Sequence, residues 1–344
     1  MTPDVAPPIA APQQSRAPRP LPLFLALVRD VGTRDPALAR AALDGLRRYG
    51  EAPAPPLPPQ RREVARSGGA RLLDCGGNGA PLILVPSPIN PPTILDLDPD
   101  CSLAGALATR RRVFLLDWGD ATARTDLDLD QHVEELLLPL AHEVGPAILA
   151  GYCLGGTLAT IAAQRAPGQV EALITLASPW HFAAYPADAR TRLRQLWEAS
   201  AAASEALGML PMEVLQAAFW ALDPEHVVAK YARFAATPRS SPQERRFVAL
   251  EIWANGGEPL PLPAARQLVE CWFGGAGPSG PLPGVPMLHV TATADRIVPA
   301  ASAAQVGASL ACPAGHVGMI VGRDASIRLH APLKVWLEGL ATGR

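Results

Sequence analysis

The residues best suited to covalent chemistry are a cysteine in a glycine turn, an aspartate and a histidine, in that order along the chain. The segment AILAGYCLGGTLATIAAQRAP (147–167) reads as an apolar strand ending at Gly151, a tight turn through Cys153, and a helix beyond it. A nucleophile on a strand-to-helix turn needs small residues around it so that strand and helix can pack closely. Gly151 and Gly155 meet that need, and Gly156 adds another small residue at the helix start. Free N–H groups and a partial positive charge at the start of a helix favour a thiolate there. Such a nucleophile also needs a base, and the base needs an acid to orient it. The run VPMLHVTAT (285–293) leads into Ala294-Asp295-Arg296-Ile297-Val298-Pro299, so Asp295 falls just past a strand's carboxyl end. Next, ASLACPAGHVGMIVG carries a short strand (309–312) and then His316, in a loop between Gly315 and Gly318. Cys153 is expected as nucleophile, Asp295 as acid and His316 as base. Asp117, ending a strand in LLDWGD, is a competing acid, but it precedes the nucleophile. Asp324 follows His316 and is in the wrong order. His289 lies inside a strand and reads as a core residue, and the remaining histidines have no positional argument.

An oxyanion formed at Cys153 needs two donors. One is expected from the N–H of Leu154, the residue after the nucleophile. The other should come from the loop after strand 81–86, Pro86-Ser87-Pro88-Ile89-Asn90. Pro86 and Pro88 have no N–H, which leaves Ser87, Ile89 and Asn90, with Ile89 favoured.

These side chains require elements to hold them. Short apolar runs occur at 70–75, 81–86, 112–118, 146–151, 172–178 and 285–293. Most are continuous rather than alternating, as in parallel strands buried on both faces. Helical stretches at 102–110, 129–144, 154–166 and 297–308 lie between them, so the body (68–179 and 285–344) is expected to be α/β. Residues 180–284 break the alternation. They read as helices at 187–206, 211–221, 224–236, 242–254 and 263–273, carry many Trp and Phe residues, and form an expected helical cap. Residues 1–20 are an expected disordered Pro-rich tail. Residues 21–60 are an expected pair of helices ending in the polyproline linker EAPAPPLPPQ.

Composition narrows the function. In 344 residues, 30 basic and 32 acidic side chains nearly cancel, which argues against a nucleic-acid partner. Five widely spaced cysteines with no C-x-x-C do not make a disulfide framework, and they fit a reducing cytoplasm. The apolar run at 21–28 is too short to span a membrane. No spacing suits a nucleotide cradle or a metal site.

At these residues the sequence resembles the polyhydroxyalkanoate synthases, a family with an α/β-hydrolase fold. The family's G-x-C-x-G-G box is matched by Gly151, Cys153, Gly155 and Gly156. LILVPSPINPPTILDLDPDCSL (82–103), VFLLDWG (113–119), DRIVP around Asp295 and GHVGMIVG around His316 also look similar. The resemblance implies an acyltransferase that takes (R)-3-hydroxyacyl-CoA, releases CoA and extends a polyester, such as poly-3-hydroxybutyrate, on Cys153. It implies no cofactor beyond that coenzyme A thioester as substrate. It also implies a second synthase subunit or a homodimer as partner, and work at a polyester granule surface. EIWANGGEPLP (251–261) departs from the family's Trp-Asn-x-Asp stretch, with Gly at the acidic position.

The nucleophile's chemistry points the same way. A thiolate that attacks an acyl-CoA exchanges one thioester for another, so the acyl group stays activated for transfer to an alcohol. The alternative on the same scaffold is a hydrolase, either a thioesterase or a polyhydroxyalkanoate depolymerase. A third reading is a non-catalytic granule-coat protein.

Overall fold

The computed structural model describes residues 16–342, with side chains as far as Leu340. Residues 1–15 of the expected Pro-rich tail lie outside the described residues. Among the described residues, ten strands form one eight-stranded sheet and a two-stranded pair. The large sheet contains β1 (Arg62–Ser67), β2 (Ala70–Gly76), β3 (Pro81–Val85), β4 (Arg112–Asp117), β5 (Ala147–Tyr152), β6 (Val170–Leu176), β9 (Met287–Ala292) and β10 (Ala308–Cys312). The pair is β7 (Met209–Leu210) with β8 (Leu260–Pro261). The sheet order is β1-β2-β4-β3-β5-β6-β9-β10. β1–β2 and β2–β4 are antiparallel, and every pairing from β4 to β10 is parallel.

The parallel strands are apolar because both of their faces are covered. Along β3 and β5 the side chains alternate between two cores. Ile83, Val85, Ala147 and Leu149 enter one of them. Leu82, Leu84, Ile148, Ala150 and Tyr152 enter the other. Six residues of β5 are buried in succession. Burying a Leu or Ile side chain stabilises by about 1.5–3 kcal/mol, so a polar residue would be costly anywhere along this strand. β1, in contrast, is a largely exposed edge strand of sequence REVARS, and a polar edge carries no apolar signal that the sequence could have shown.

Helices flank the sheet: α3 (Leu103–Ala108), α4 (Leu129–Gln131), α5 (Leu138–His142) and α6 (Leu154–Arg165) between strands, and α12 (His316–Val321) and α13 (Ala331–Thr342) after the last strand. α4 and α5 are joined by a π-helical stretch, His132–Leu137. Pro139, with no N–H, cannot bond the carbonyl of Glu135, and the Ser67 hydroxyl donates to that oxygen at 2.7 Å instead. After β3 the chain crosses to β4, then returns to the other side of β3 as β5. The carboxyl ends of β3 and β5 therefore border a topological switch point, where open α/β sheets leave a crevice.

Two expectations are corrected. The helix expected over 297–308 is a single short turn, Ala300–Ser302. Pro299 opens it, Gly307 lies at φ +88°, and the Ser302 carbonyl is taken by the amides of Trp180 and His181. His316, expected in a loop, is the first residue of α12. Gly315 precedes it in extended backbone and its carbonyl accepts from Met319 N at 2.9 Å.

The helical segments are α1 (Leu21–Gly32), α2 (Pro36–Glu51), α7 (Ala187–Leu207), α8 (Met212–Leu222), α9 (Pro224–Ala235), α10 (Pro242–Asn255) and α11 (Leu262–Arg266). The chain divides into two compact units. One joins residues 224–248 to the N-terminal segment up to Pro55, and the other holds 56–223 and 249–344. Within the first unit α2 approaches α9 so closely that a Cβ on Gly45 would stand 1.9 Å from the Tyr231 carbonyl oxygen. Phe24, Tyr49, Tyr231, Phe234 and Phe247 form a chain of aromatic contacts there, and the buried Arg48 guanidinium pairs with Glu244 at 2.8 Å. In the second unit the eight-stranded sheet carries the expected site residues. No helix among the described residues is long and apolar enough to cross a membrane.

Candidate active site

Cys153 stands between the last residue of β5 and the first of α6, at φ +56° and ψ −132°. Few L-residues adopt this conformation without a structural reason, and it turns the side chain out of the sheet. The glycines around it are required by distance. A Cβ on Gly155 would stand 2.2 Å from the Val85 carbonyl oxygen and 2.4 Å from that of Pro86. On Gly156 a Cβ would stand 1.9 Å from the Ser178 hydroxyl, and on Gly151 it would stand 2.3 Å from the Gly156 Cα.

The turn after β9 supplies Asp295, whose side chain is fully buried. Its Oδ1 accepts from the amides of Ile297 at 2.7 Å and Val298 at 2.9 Å. Its Oδ2 meets His316 Nδ1 at 2.7 Å. A carboxylate only accepts, so Nδ1 carries the proton and the other ring nitrogen is left for Cys153. Cys153 stands close enough to the imidazole to act on its protonation. Burial works against the His316 imidazolium, but Cys153 and Asp295 outweigh that and raise its pKa to about 10. The structure thus brings the three residues expected from sequence together, with His316 and Asp295 hydrogen-bonded at 2.7 Å.

The competing groups are engaged elsewhere. Asp117 pairs with Arg71 and accepts from Gly119 N at 3.0 Å. His289 is buried and meets Thr175 Oγ1 at 2.7 Å. Asp324 pairs with Arg328.

A cavity of about 130 Å³ opens beside Cys153. Leu154 and Ile89, the expected oxyanion donors, both line it. Leu154 is the first residue of α6, where an amide has no intrahelical acceptor. Of the three candidates in the 87–90 loop, Ile89 is the one in the cavity wall. Its amide makes only a 3.4 Å contact with Ser87 Oγ. Apart from Arg192 the rest of the wall is mostly apolar, with Phe182, Tyr185, Phe219, Leu268, Phe273 and Val298 prominent. The aromatic residues of segment 180–284 therefore divide by role. Some wall this cavity, while Tyr231, Phe234 and Phe247 belong to the other unit.

Several contributors were not singled out in the sequence. Tyr152 donates to the His316 carbonyl at 3.3 Å, and its ring centroid lies 5.0 Å from the imidazole. Burial and the nearby Cys153 and Asp295 charges hold its phenol well above its ordinary pKa, so it is a neutral donor. Its place beside Cys153 was visible, but its partner 164 residues away was not. The proline-rich loop after β3 is pinned by its carbonyls. Trp118 Nε1 donates to Pro86 O, Arg124 Nη2 to Pro88 O and Trp253 Nε1 to Pro91 O, each at 2.9 Å. Glu258 N donates to Ile89 O at 2.8 Å.

A cysteine on a strained turn, faced by a His–Asp pair at the carboxyl edge of a mostly parallel sheet, is the arrangement of the α/β hydrolases. The chain belongs to that family, whose model for the alpha/beta hydrolase fold matches residues 91–321. Among individual proteins it is similar to the Poly(3-hydroxyalkanoate) polymerase subunit PhaC of Thiocystis violacea. The two are 27% identical over 290 residues, 75% of this chain and 80% of that protein. The protein of the same description from Allochromatium vinosum is 27% identical over 291 residues, with the same coverage of 75% and 80%. Among solved structures, a meta-cleavage product hydrolase from Pseudomonas fluorescens is 16% identical at a TM-score of 0.44. The match covers 79% of this chain and 96% of that one.

Proposed function

We propose that the protein is a cysteine-dependent acyltransferase that builds polyester from (R)-3-hydroxyacyl-CoA. The observation that carries this reading is the line Cys153–His316–Asp295 opening into an apolar cavity. Cys153 passes its thiol proton to His316, its Sγ adds to the thioester carbonyl, and the carbonyl electrons move onto oxygen beside the Leu154 and Ile89 amides. The intermediate collapses, the C–S bond to coenzyme A breaks, and His316 protonates the departing thiolate. His316, now neutral, then takes the proton of an incoming 3-hydroxyl, which attacks the acyl group on Cys153. An apolar wall favours this outcome because it excludes water, the competing acceptor. The named activity of the two PhaC relatives supports the same reading, and the word subunit in their description supports a partner subunit for this chain. A polyester granule in the cytoplasm is the proposed place of work.

The test supplies hydroxybutyryl-CoA and follows free thiol together with insoluble polyester, with and without candidate partner subunits. Thiol release matched by polyester is expected, and Cys153→Ala should release none. Thiol release that yields only free hydroxy acid would replace this reading with a thioesterase or depolymerase. Release at the wild-type rate by Cys153→Ala would remove the nucleophile assignment.

A further inference from the structure

Arg124 is one of the most deeply buried charged residues of the sheet-bearing unit, at 2% exposure. It lies in a short helical turn, Ala121–Arg124, between β4 and α4. No carboxylate pairs with it at contact distance among the described residues. Its Nη2 donates to Pro88 O at 2.9 Å, its Nη1 meets His132 Nε2 at 2.9 Å, and its Nε has no partner. His132 is fully buried, and its Nδ1 lies 2.6 Å from the Asp128 carbonyl oxygen, which can only accept. That contact places the ring proton on Nδ1 and leaves Nε2 bare to accept from the guanidinium. Burial and the adjacent Arg124 charge push the His132 pKa down to about 4, so the ring stays a neutral acceptor. Burial also lowers Arg124, to about 10, with Glu258, Asp117 and Asp120 opposing, and it remains charged at neutral pH. Burying a guanidinium without a counter-ion is costly, so its partner is where a purpose should be sought.

That partner is a peptide oxygen of the candidate oxyanion loop. Pro88 O and Ile89 N belong to the same planar peptide group, and in a trans peptide they point in opposite directions. A cation on the oxygen draws electrons toward it and makes the N–H at the other end a stronger donor. It also opposes a flip of the peptide, which would turn the N–H away. The loop has few amides of its own to do this, because Pro86, Pro88, Pro91 and Pro92 have none.

We propose that Arg124, oriented by His132, is a positioning residue that aims and polarises the Pro88–Ile89 peptide so that the Ile89 N–H serves the oxyanion. The inference rests on the acyl-transfer reading above. It concerns the step in which Sγ adds to the thioester carbonyl and negative charge gathers on its oxygen.

The experiment compares two reactions of Cys153 in the full-length protein. Acylation by hydroxybutyryl-CoA passes through an oxyanion. Alkylation by iodoacetamide, a displacement at saturated carbon that expels iodide, does not. Arg124→Met should slow single-turnover acylation about 10- to 100-fold, less than the loss of an oxyanion donor itself, with alkylation unchanged within about twofold. Arg124→Lys keeps a charge that can reach Pro88 O and should lose less. It serves as the measuring variant if Arg124→Met does not fold. Equal loss in both reactions makes Arg124 a purely structural residue and overturns the proposal, as does unaltered acylation in both variants. A wild-type protein that is alkylated but never acylated overturns the acyl-transfer reading itself, and the proposal with it.

Discussion

At the scale of single residues, the proposed function turns on one proton passed between Cys153 and His316, with Asp295 orienting the imidazole. Asp295 accepts from two backbone amides as well as from His316, so it is held rigidly and its charge supports an imidazolium. Asp295→Asn keeps the shape and removes the charge. Turnover should fall by about 10³- to 10⁴-fold, as in other triads stripped of their acid, with an unchanged circular dichroism spectrum. An unchanged rate would take Asp295 out of the site. The His316 pKa makes a second prediction. Its pKa is raised on folding from 6.5 to about 10. A raised cationic group adds stability that is complete below its unfolded value and is lost as pH climbs through the folded one. The melting temperature of the wild type should therefore drop between pH 7 and 10 more steeply than that of Cys153→Ala, which lacks the Cys153 contribution to that rise. Parallel curves would show that Cys153 does not act on His316. Cys153 and Asp295 were legible in the sequence because each follows a strand's carboxyl end, and His316 because it comes after both in chain order, although its place at the start of α12 was not. Tyr152 and Arg124 were not, because each acts on a backbone carbonyl, and carbonyls leave no mark in a sequence.

At the scale of elements, the packing of α6 against β5 and the ends of its neighbours decides whether the turn at Cys153 can exist. Gly156→Ala would force a methyl group against Ser178 Oγ at 1.9 Å. This should cost about 2–4 kcal/mol, by analogy with overpacked cores, read from denaturant unfolding. Part of the loss should return in Gly156→Ala/Ser178→Gly, because the closest clash is with a side chain while the 2.9 Å approach to the Gly151 carbonyl oxygen remains. Gly155→Ala meets the backbone oxygens of Val85 and Pro86, and the Ser178→Gly change should not rescue it. Equal rescue of both would mean the clash is not local. The strands were readable where both faces are buried and unreadable at β1, whose polar edge carries no pattern. The helix expected over 297–308 failed for a tertiary reason, since the Ser302 carbonyl serves amides of the 180–181 segment.

At the scale of the whole molecule, the helical segments do not all serve one unit. Residues 224–248 cluster with α1 and α2, and their shared core is tied by the buried Arg48–Glu244 pair. Removing one partner of a buried pair leaves an uncompensated charge and typically costs about 3–5 kcal/mol. Glu244→Gln should therefore speed amide hydrogen exchange in 21–51 and 224–248 together, while β3, β5 and β6 keep their protection. Faster exchange spread evenly over both sets would mean the two units do not open separately. The elements of 180–284 were legible from periodicity, but their allocation was not. An amphipathic helix shows in sequence that it has a partner without showing which one.

The sequence by itself determined the glycine turn around Cys153, the order of Cys153, Asp295 and His316 and the alternation of strands and helices, because each depends on local backbone demands or on a periodicity that burial imposes. Only the tertiary structure brought the Asp295 carboxylate against His316, set Ile89 in the cavity wall and placed the Arg124 guanidinium on Pro88 O. Those outcomes are contacts between segments far apart in the chain, and their energies depend on distance in space, which the order of residues does not contain.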